Sequence, residues 1–261
     1  MESSNYDPMM MWNIGCQMVA LNYQTPDRQM QLHEGRFLMN GRCGYVLKPD
    51  ILRNKDFNPY DKRSLREMEP LTLSVTIIGA RHLVKSGRGI ASPFVEIEIV
   101  GIDDDITKNK TTTISDNGLN PIWKDQNNLV FDLLCPELAL IHFVVYDEDT
   151  FGEPNFLGQA TFPVCGLKSG YRSVPLKNGH SEDLDMAALL VYIEKRNPRE
   201  SEDSEIYSCL QDLRERKDHL SAQIEQFERR GESERAKRLQ EELERTEKDI
   251  LEKNEERRQK K

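Results

Sequence analysis

The sequence predicts a multidomain chain with an all-β sandwich at its centre, two short strands before it and a charged helical tail after it. Three patterns predict this. Between Leu71 and Ile193, eight short runs carry strand signals, most of them alternating apolar and polar residues, and turn clusters separate them. From Ile206 to Leu251, apolar residues recur at spacings of three, four and seven. Before Leu71 only two apolar runs stand out, at 16–23 and 45–47.

The first run, Cys16 to Tyr23, is apolar on both faces, as a buried parallel strand would be, and Gln24-Thr25-Pro26 ends it. The second, Tyr45-Val46-Leu47, is entered through Gly44 and ended by Pro49. A polar connection holding Met30, Leu32, Phe37 and Leu38 joins them, and its His33 reads as a surface residue. Two strands cannot build a core by themselves. Residues 1–54 therefore dock on the next module or need partner strands. Residues 55–70 read as an ordered linker, because Phe57, Pro59 and Tyr60 replace the Gly/Ser repeats of a flexible one.

The eight strands of residues 71–195 are placed at 71–77, 94–100, 107–114, 129–133, 139–146, 157–162, 171–176 and 188–193. Turns at Ser86-Gly87-Arg88-Gly89, Asp116-Asn117-Gly118 and Lys177-Asn178-Gly179 separate them. Such a series indicates a sandwich. Asp103-Asp104-Asp105 reads as an exposed turn. Gly87-Arg88-Gly89 lacks the further residues of a phosphate-binding loop.

The tail, residues 196–261, begins at a break around Pro198. Ile206, Leu210, Leu213, Leu220, Ile224 and Phe227 form a heptad seam that Lys217 interrupts, and Ser201 or Ser204 caps its start. The pattern breaks at Gly231 and resumes through Ala236, Leu239, Leu243, Ile250 and Leu251. Gly231 as a C-terminal signal and Ser233 as a new N-cap favour an antiparallel hairpin, with an intermolecular coiled coil as the alternative. Glu241–Arg245 and Glu244–Lys248 are spaced for helix-stabilising pairs.

Composition narrows the function. The 261 residues carry a formal net charge of -9 and are 37% hydrophobic, low for one compact globule. An acidic chain argues against nucleic acid as the main partner. No apolar run reaches the roughly 20 residues of a membrane span. The N-terminus shows no basic region followed by an apolar core, so a cytoplasmic protein is expected. The five cysteines, Cys16, Cys43, Cys135, Cys165 and Cys209, have no metal-ligand spacing and read as reduced, mostly buried thiols.

Longer stretches carry a family resemblance. SSNYDPMMMWNIGCQMVALNYQTPD at 3–27 and GYVLKP at 44–49 resemble the end of the Y half of phosphoinositide-specific phospholipase C. GARHLVKSGRGIASPFVEIEI at 79–99, DNGLNPIW at 116–123 and NFLGQATFPVCGLKSGYRSVPLKN at 155–178 resemble its gamma-type members and a C2 domain. The resemblance covers about residues 1–195, and the tail contributes nothing to it. It implies that the two early runs are the terminal strands of a (β/α)8 barrel. It also implies an intact enzyme that cleaves phosphatidylinositol 4,5-bisphosphate to diacylglycerol and inositol trisphosphate with catalytic calcium and a histidine acid/base pair. In the family pattern those catalytic groups precede Ser3, so no catalytic residue is assigned here and the chain alone is expected to be inactive.

A calcium-binding C2 domain collects loop carboxylates at one end, because the ion needs six to eight oxygens. Asp147 and Asp149 alternate off a strand end and match two such positions, and Asn155 stands where a third Asp is usual. Ser86 and Ser92 replace Asp in the first loop, so the resemblance implies at most a weak calcium site at Asp147, Asp149 and Asn155. Lys85 and Arg88 flank that loop and would meet an anionic phosphoinositide membrane. His82, Ser86 and Ser92 form no nucleophile–base pair recognisable from sequence. The reading is the C-terminal portion of a phosphoinositide phospholipase C, cytoplasmic and peripherally recruited to membrane. Residues 205–256 are available for a protein partner or self-association. The alternative is a non-catalytic adaptor built from a C2 module and a helical tail.

Overall fold

A computed structural model describes residues 3–54, 56–65, 68–85, 89–124, 128–148, 152–198, 204–229 and 232–259. The chain divides into two compact units, Met1–Arg196 and Asn197–Lys261.

The first unit is built on eight antiparallel strands: β1 Leu71–Arg81, β2 Pro93–Val100, β3 Thr107–Lys110, β4 Asn128–Leu133, β5 Leu140–Asp147, β6 Asn155–Pro163, β7 Gly170–Lys177 and β8 Asp183–Arg196. All eight expected strands form. Their order is β3-β2-β5-β6-β7-β8-β1-β4. One registered pair, Gln159 with Lys177, joins β6 to β7. The sheet thus folds there into two four-stranded layers, a sandwich. Alternating residues fill the space between the layers: Leu73, Val75 and Ile77 from β1, Val95, Ile97 and Ile99 from β2, Phe131 and Leu133 from β4, Ile141, Phe143 and Val145 from β5, and Leu189, Val191 and Ile193 from β8. Each such side chain is worth about 1.5–3 kcal/mol in burial.

Strand β5 is buried on both faces, with Leu140, His142 and Val144 pointing away from the sandwich core yet nearly inaccessible. Residues 1–53 supply the cover. Helix α1, Pro8–Asn13, starts at Asp7, whose side chain accepts from the Met9 N–H, with Pro8 at the first helical position. Helix α2, Arg28–Arg36, starts at Asp27, whose carboxylate accepts from the Met30 N–H. Asn5 also donates to that carboxylate through its backbone N–H, at 2.9 Å, and through its side chain, at 3.1 Å. Met9, Trp12 and Leu32 pack with Val100 and Leu140 of the sheet. Gly35 permits a close approach of α2 to β6, where a Cβ would lie 2.3 Å from Thr161 Cγ2.

The strands expected at 16–23 and 45–47 do not form. Both segments are irregular, and Met18, Tyr45 and Leu47 are 94%, 79% and 76% exposed. A run apolar on both faces becomes a strand only where neighbouring strands take its backbone hydrogen bonds. Here neither run pairs with a strand of the sheet, and residues 3–53 fold as helices, turns and irregular stretches. His33 is not a plain surface residue either. Its ring sits among Trp12, Tyr23 and Phe37, and its Nε2 lies 3.1 Å from Tyr23 Oη.

In the linker, Phe57 packs with Leu65, of the short helix α3 Lys62–Leu65, against Ile102, Cys135 and Leu138. Asp103–Asp105 forms a 3-10 turn rather than a wholly exposed one. Asp105 is buried and accepts from the Leu134 and Cys135 N–H groups at 2.6 and 3.0 Å. The thiols are also less buried than expected: Cys16, Cys43 and Cys165 are exposed, Cys209 is intermediate and only Cys135 is buried.

The second unit is a hairpin of α4, Ser204–Arg229, and α5, Ser233–Gln259. The helices run antiparallel: Arg235 lies over the Phe227 ring near the turn, and Lys217 meets Glu247 at 2.7 Å farther from it, with Arg216–Glu242 at 2.5 Å beside that pair. Lys217 therefore closes the seam's edge with an ion pair. Leu210, Leu220, Ile224 and Ala236 are buried, whereas Leu251 is 65% exposed. Lys248 pairs forward with Glu252 at 3.8 Å rather than back to Glu244. Ser201 and Gly231, and the side chains of Ser204 and Ser233, lie outside the described residues.

Candidate functional site

Three loop segments meet at one end of the sandwich: 82–85 with 89–92, 115–122, and Glu148. Antiparallel register places them together, because Pro93 of β2 pairs with Asp147 of β5, which pairs with Asn155 of β6. Backbone bonds then tie the loops. His82 and Leu83 N–H groups donate to the Leu119 and Gly118 carbonyls, at 2.9 and 3.0 Å, and Glu148 N–H donates to the Ser92 carbonyl at 2.9 Å. His82 and Asp116 take left-handed conformations, φ 54 and φ 50, to make the turns.

Ser92 is the hub. Its N–H donates to Asp147 Oδ1 at 2.7 Å, and its Oγ accepts from the Asp116 N–H at 3.1 Å. Asp147 is 0% exposed. Its other oxygen, Oδ2, meets Lys85 Nζ at 2.7 Å. A buried carboxylate requires such partners, since an unpaired one loses far more hydration than packing returns. Around this pair the loops carry exposed apolar side chains as well as the exposed carboxylates of Asp116 and Glu148. Val84, Ile90 and Leu119 are 77%, 62% and 63% exposed. Val84 lies between Leu83 and Lys85, Leu119 accepts from His82 through its carbonyl, and Ile90 stands two residues before Ser92.

Of the residues singled out from sequence, the structure brings Asp147 and Asn155 opposite one another, with Asp147 buried and Asn155 exposed. Asp149, Ser86 and Arg88 lie outside the described residues. Among the described residues, no group of three or more His, Cys, Asp or Glu side chains is arranged to hold a metal. Lys85, read from sequence as a lipid contact, is turned inward to Asp147. No local signal links positions 62 residues apart, so that pair could not be read from the chain.

A second polar cluster, also unread, lies under α2 on the outer face of the sheet. Arg28 forks onto Glu98, Nε to Oε2 and Nη2 to Oε1, both 2.8 Å. His142 Nε2 lies 3.0 Å from Gln31 Oε1, and its Nδ1 stands 3.7 Å from Glu98 Oε2, beyond direct hydrogen-bond reach. Burial pushes the Glu98 carboxyl up, but His142 and Arg28 outweigh it and hold it at about 2. Burial pushes the His142 imidazole down, against the pull of Glu98. This cluster fastens the N-terminal segment to the sheet.

Comparison with known proteins places these features in a family. Residues 1–51 match the family "Phosphatidylinositol-specific phospholipase C, Y domain", and residues 71–177 match "C2 domain". The chain is 51% identical over 224 residues to 1-phosphatidylinositol 4,5-bisphosphate phosphodiesterase gamma-2 of Rattus norvegicus, covering 85% of this chain and 18% of that protein. It is 51% identical over 196 residues to 1-phosphatidylinositol 4,5-bisphosphate phosphodiesterase gamma plc-3 of Caenorhabditis elegans, covering 74% and 14%. The crystal structure of L. pealei PLC21 superposes with a TM-score of 0.67 at 34% identity, over 75% of this chain and 25% of that one. The chain thus spans less than a fifth of the length of these curated relatives. An alignment covering 85% of the chain exceeds the 196-residue first unit, so the likeness reaches into the helical hairpin, beyond the limit near residue 195 expected from sequence.

Proposed function

We propose that this chain, which matches a phosphatidylinositol-specific phospholipase C Y domain followed by a C2 domain, is the C-terminal portion of a gamma-type phosphoinositide-specific phospholipase C that hydrolyses phosphatidylinositol 4,5-bisphosphate. The ordered pair of matches, with half the residues identical to gamma-type relatives, carries this reading. Its domains are a Y-half segment at 1–54, a linker at 55–70, the C2 module at 71–195 and a charged tail at 196–261. The role of these residues is to dock and target. The C2 tip meets the membrane, the Y segment stays clamped to the sheet, and the hairpin offers a charged surface to a protein partner. The protein acts in the cytoplasm and is recruited peripherally to membrane; no helix among the described residues is long and apolar enough to cross one.

We place the hydrolysis itself in the part of the relatives that this chain does not match. What supports that is the shape of residues 1–53. They form helices and turns packed on the sandwich and close no barrel interior where a phosphodiester could be held. For membrane docking, support comes from the three exposed apolar side chains at the tip, each worth about 1–2 kcal/mol if sunk into the headgroup boundary.

Two measurements on the purified 261-residue chain test the proposal. In mixed micelles containing phosphatidylinositol 4,5-bisphosphate it should release no inositol phosphate, with or without calcium; turnover would refute the assignment of chemistry elsewhere. In sedimentation with phosphatidylcholine/phosphatidylserine vesicles it should pellet with lipid, and Leu119→Ser with Ile90→Ser should leave it in the supernatant. Equal pelleting of the double variant would refute docking through the tip.

A further inference from the structure

We propose that the Lys85 ammonium occupies the cation position of the sandwich tip, so that the tip meets lipid without calcium. The proposal rests on the docking reading above and names its regulation.

The argument begins with Asp147. Its carboxylate is fully buried; one oxygen accepts from the Ser92 N–H at 2.7 Å, and the other faces Lys85 Nζ at 2.7 Å as an ion pair rather than through an aligned hydrogen bond. Calcium needs several charged oxygens turned toward one point. Here Ser92 presents an N–H to the carboxylate, and a donor's positive end repels a cation. Asn155, the residue opposite Asp147, is exposed and neutral. While Lys85 holds Asp147 Oδ2, the described residues therefore leave no charged oxygens turned toward one point for a calcium ion. The site does fit an ammonium, which needs a single close carboxylate and offers three N–H donors.

The consequence is a preformed tip. Where a metal would pull carboxylates of separate loops together, direct bonds already do so: Lys85 to Asp147 joins the first loop to β5, Glu148 N–H to the Ser92 carbonyl joins the third to the first, and Asp116 N–H to Ser92 Oγ joins the second. The charge of Asp147 is balanced before any ligand arrives. Lys85 is spent on Asp147, so contact with lipid falls to Val84, Ile90 and Leu119, and apolar insertion is insensitive to divalent ions.

Calcium titration calorimetry and vesicle sedimentation on the full chain test this together. Wild-type protein should give no binding heat up to about 1 mM calcium, the range of weak loop sites. Its bound fraction on phosphatidylcholine/phosphatidylserine vesicles should agree in calcium and in EGTA to within about twofold. Lys85→Ser, checked for its native circular dichroism, should gain calcium binding and a calcium-dependent rise in vesicle binding of about tenfold, and adding Asp147→Asn should remove both. Micromolar calcium binding by the wild type that Asp147→Asn abolishes would overturn the proposal. So would a folded Lys85→Ser that gains no calcium binding. If Lys85→Ser does not fold, the wild-type titration alone decides. Failure of the wild type to bind vesicles in either condition would refute membrane docking, and the calorimetry would still judge the ammonium's role.

Discussion

Replacing Glu98 with Gln removes one charge from the clamp between α2 and the sheet while keeping the side chain's shape. The side chain of Glu98 is 16% exposed and that of Arg28 33%. A carboxyl held at about 2, against an ordinary 4.5, corresponds by linkage to an upper bound of about 3 kcal/mol. Part of the fork faces water and is screened, so about 1.5–3 kcal/mol is expected in practice. The sign follows from the direction. The folded state holds Glu98 below its unfolded value, so its stabilisation is fully present above pH 4.5 and is lost as pH falls toward 2. Urea unfolding followed by the fluorescence of Trp12, which packs beside α2, reads the difference. Glu98→Gln should unfold at lower urea at pH 7, and the gap to wild type should narrow by about 1 kcal/mol between pH 7 and pH 3.5. A gap that stays constant over that range, or one smaller than about 0.5 kcal/mol at pH 7, would refute the idea that this pair holds the segment down.

Further outcomes follow from the same structure. Gly35→Ala would gain up to about 1 kcal/mol in helix propensity, but its Cβ would lie 2.3 and 2.4 Å from Thr161 side-chain atoms. Net destabilisation of about 1–2 kcal/mol is expected in urea unfolding, since overpacking outweighs propensity, and a more stable variant would show that α2 is not seated there. Asp105→Asn turns an amide N–H toward a backbone N–H and should cost about 1.5–3 kcal/mol, read by the same assay. Cys135, buried and with its thiol pushed up to about 12, should resist a disulfide-exchange reagent until the chain unfolds, while Cys16, Cys43 and Cys165 react at once. Peptide mapping checks this; labelling of Cys135 in the native state as fast as Cys16 would contradict it.

The sandwich could be read from the chain because period-2 alternation is local: each run states which face is dry without reference to any other. The strand ends differ because pairing sets them. β8 begins at Asp183 rather than 188, since Lys177 pairs with Asp183 across the hairpin. The two N-terminal runs were misread for the complementary reason. Their composition suits a strand, but a strand also needs an edge to pair with, and composition is silent on that. The tail hairpin could be read because its heptad seam and its break at residue 231 lie in one continuous stretch. The candidate site was half visible. Asp147 and Asn155 were singled out, and the structure sets them opposite one another at strand ends, but the ion pair that holds Asp147 joins positions 85 and 147. Arg28 with Glu98 and Gln31 with His142 are separated still further.

One signal in β5 shows where longer-range reading can begin. Leu140 to Val145 lacks a clean alternation, and in an antiparallel sheet that normally has one wet face such a run implies cover on the outer side. The only polar residue in it, His142, is nearly inaccessible and partnered by Gln31 of α2. The sheet therefore specifies a lid, and residues 1–53 fit it with an apolar patch of Met9, Trp12 and Leu32 and a charged fork at Arg28. A segment that looks like an unfinished piece of another fold is, energetically, the second face of this one. That packing explains why it is ordered without its own sheet, even though its other side leaves Met18, Tyr45 and Leu47 exposed.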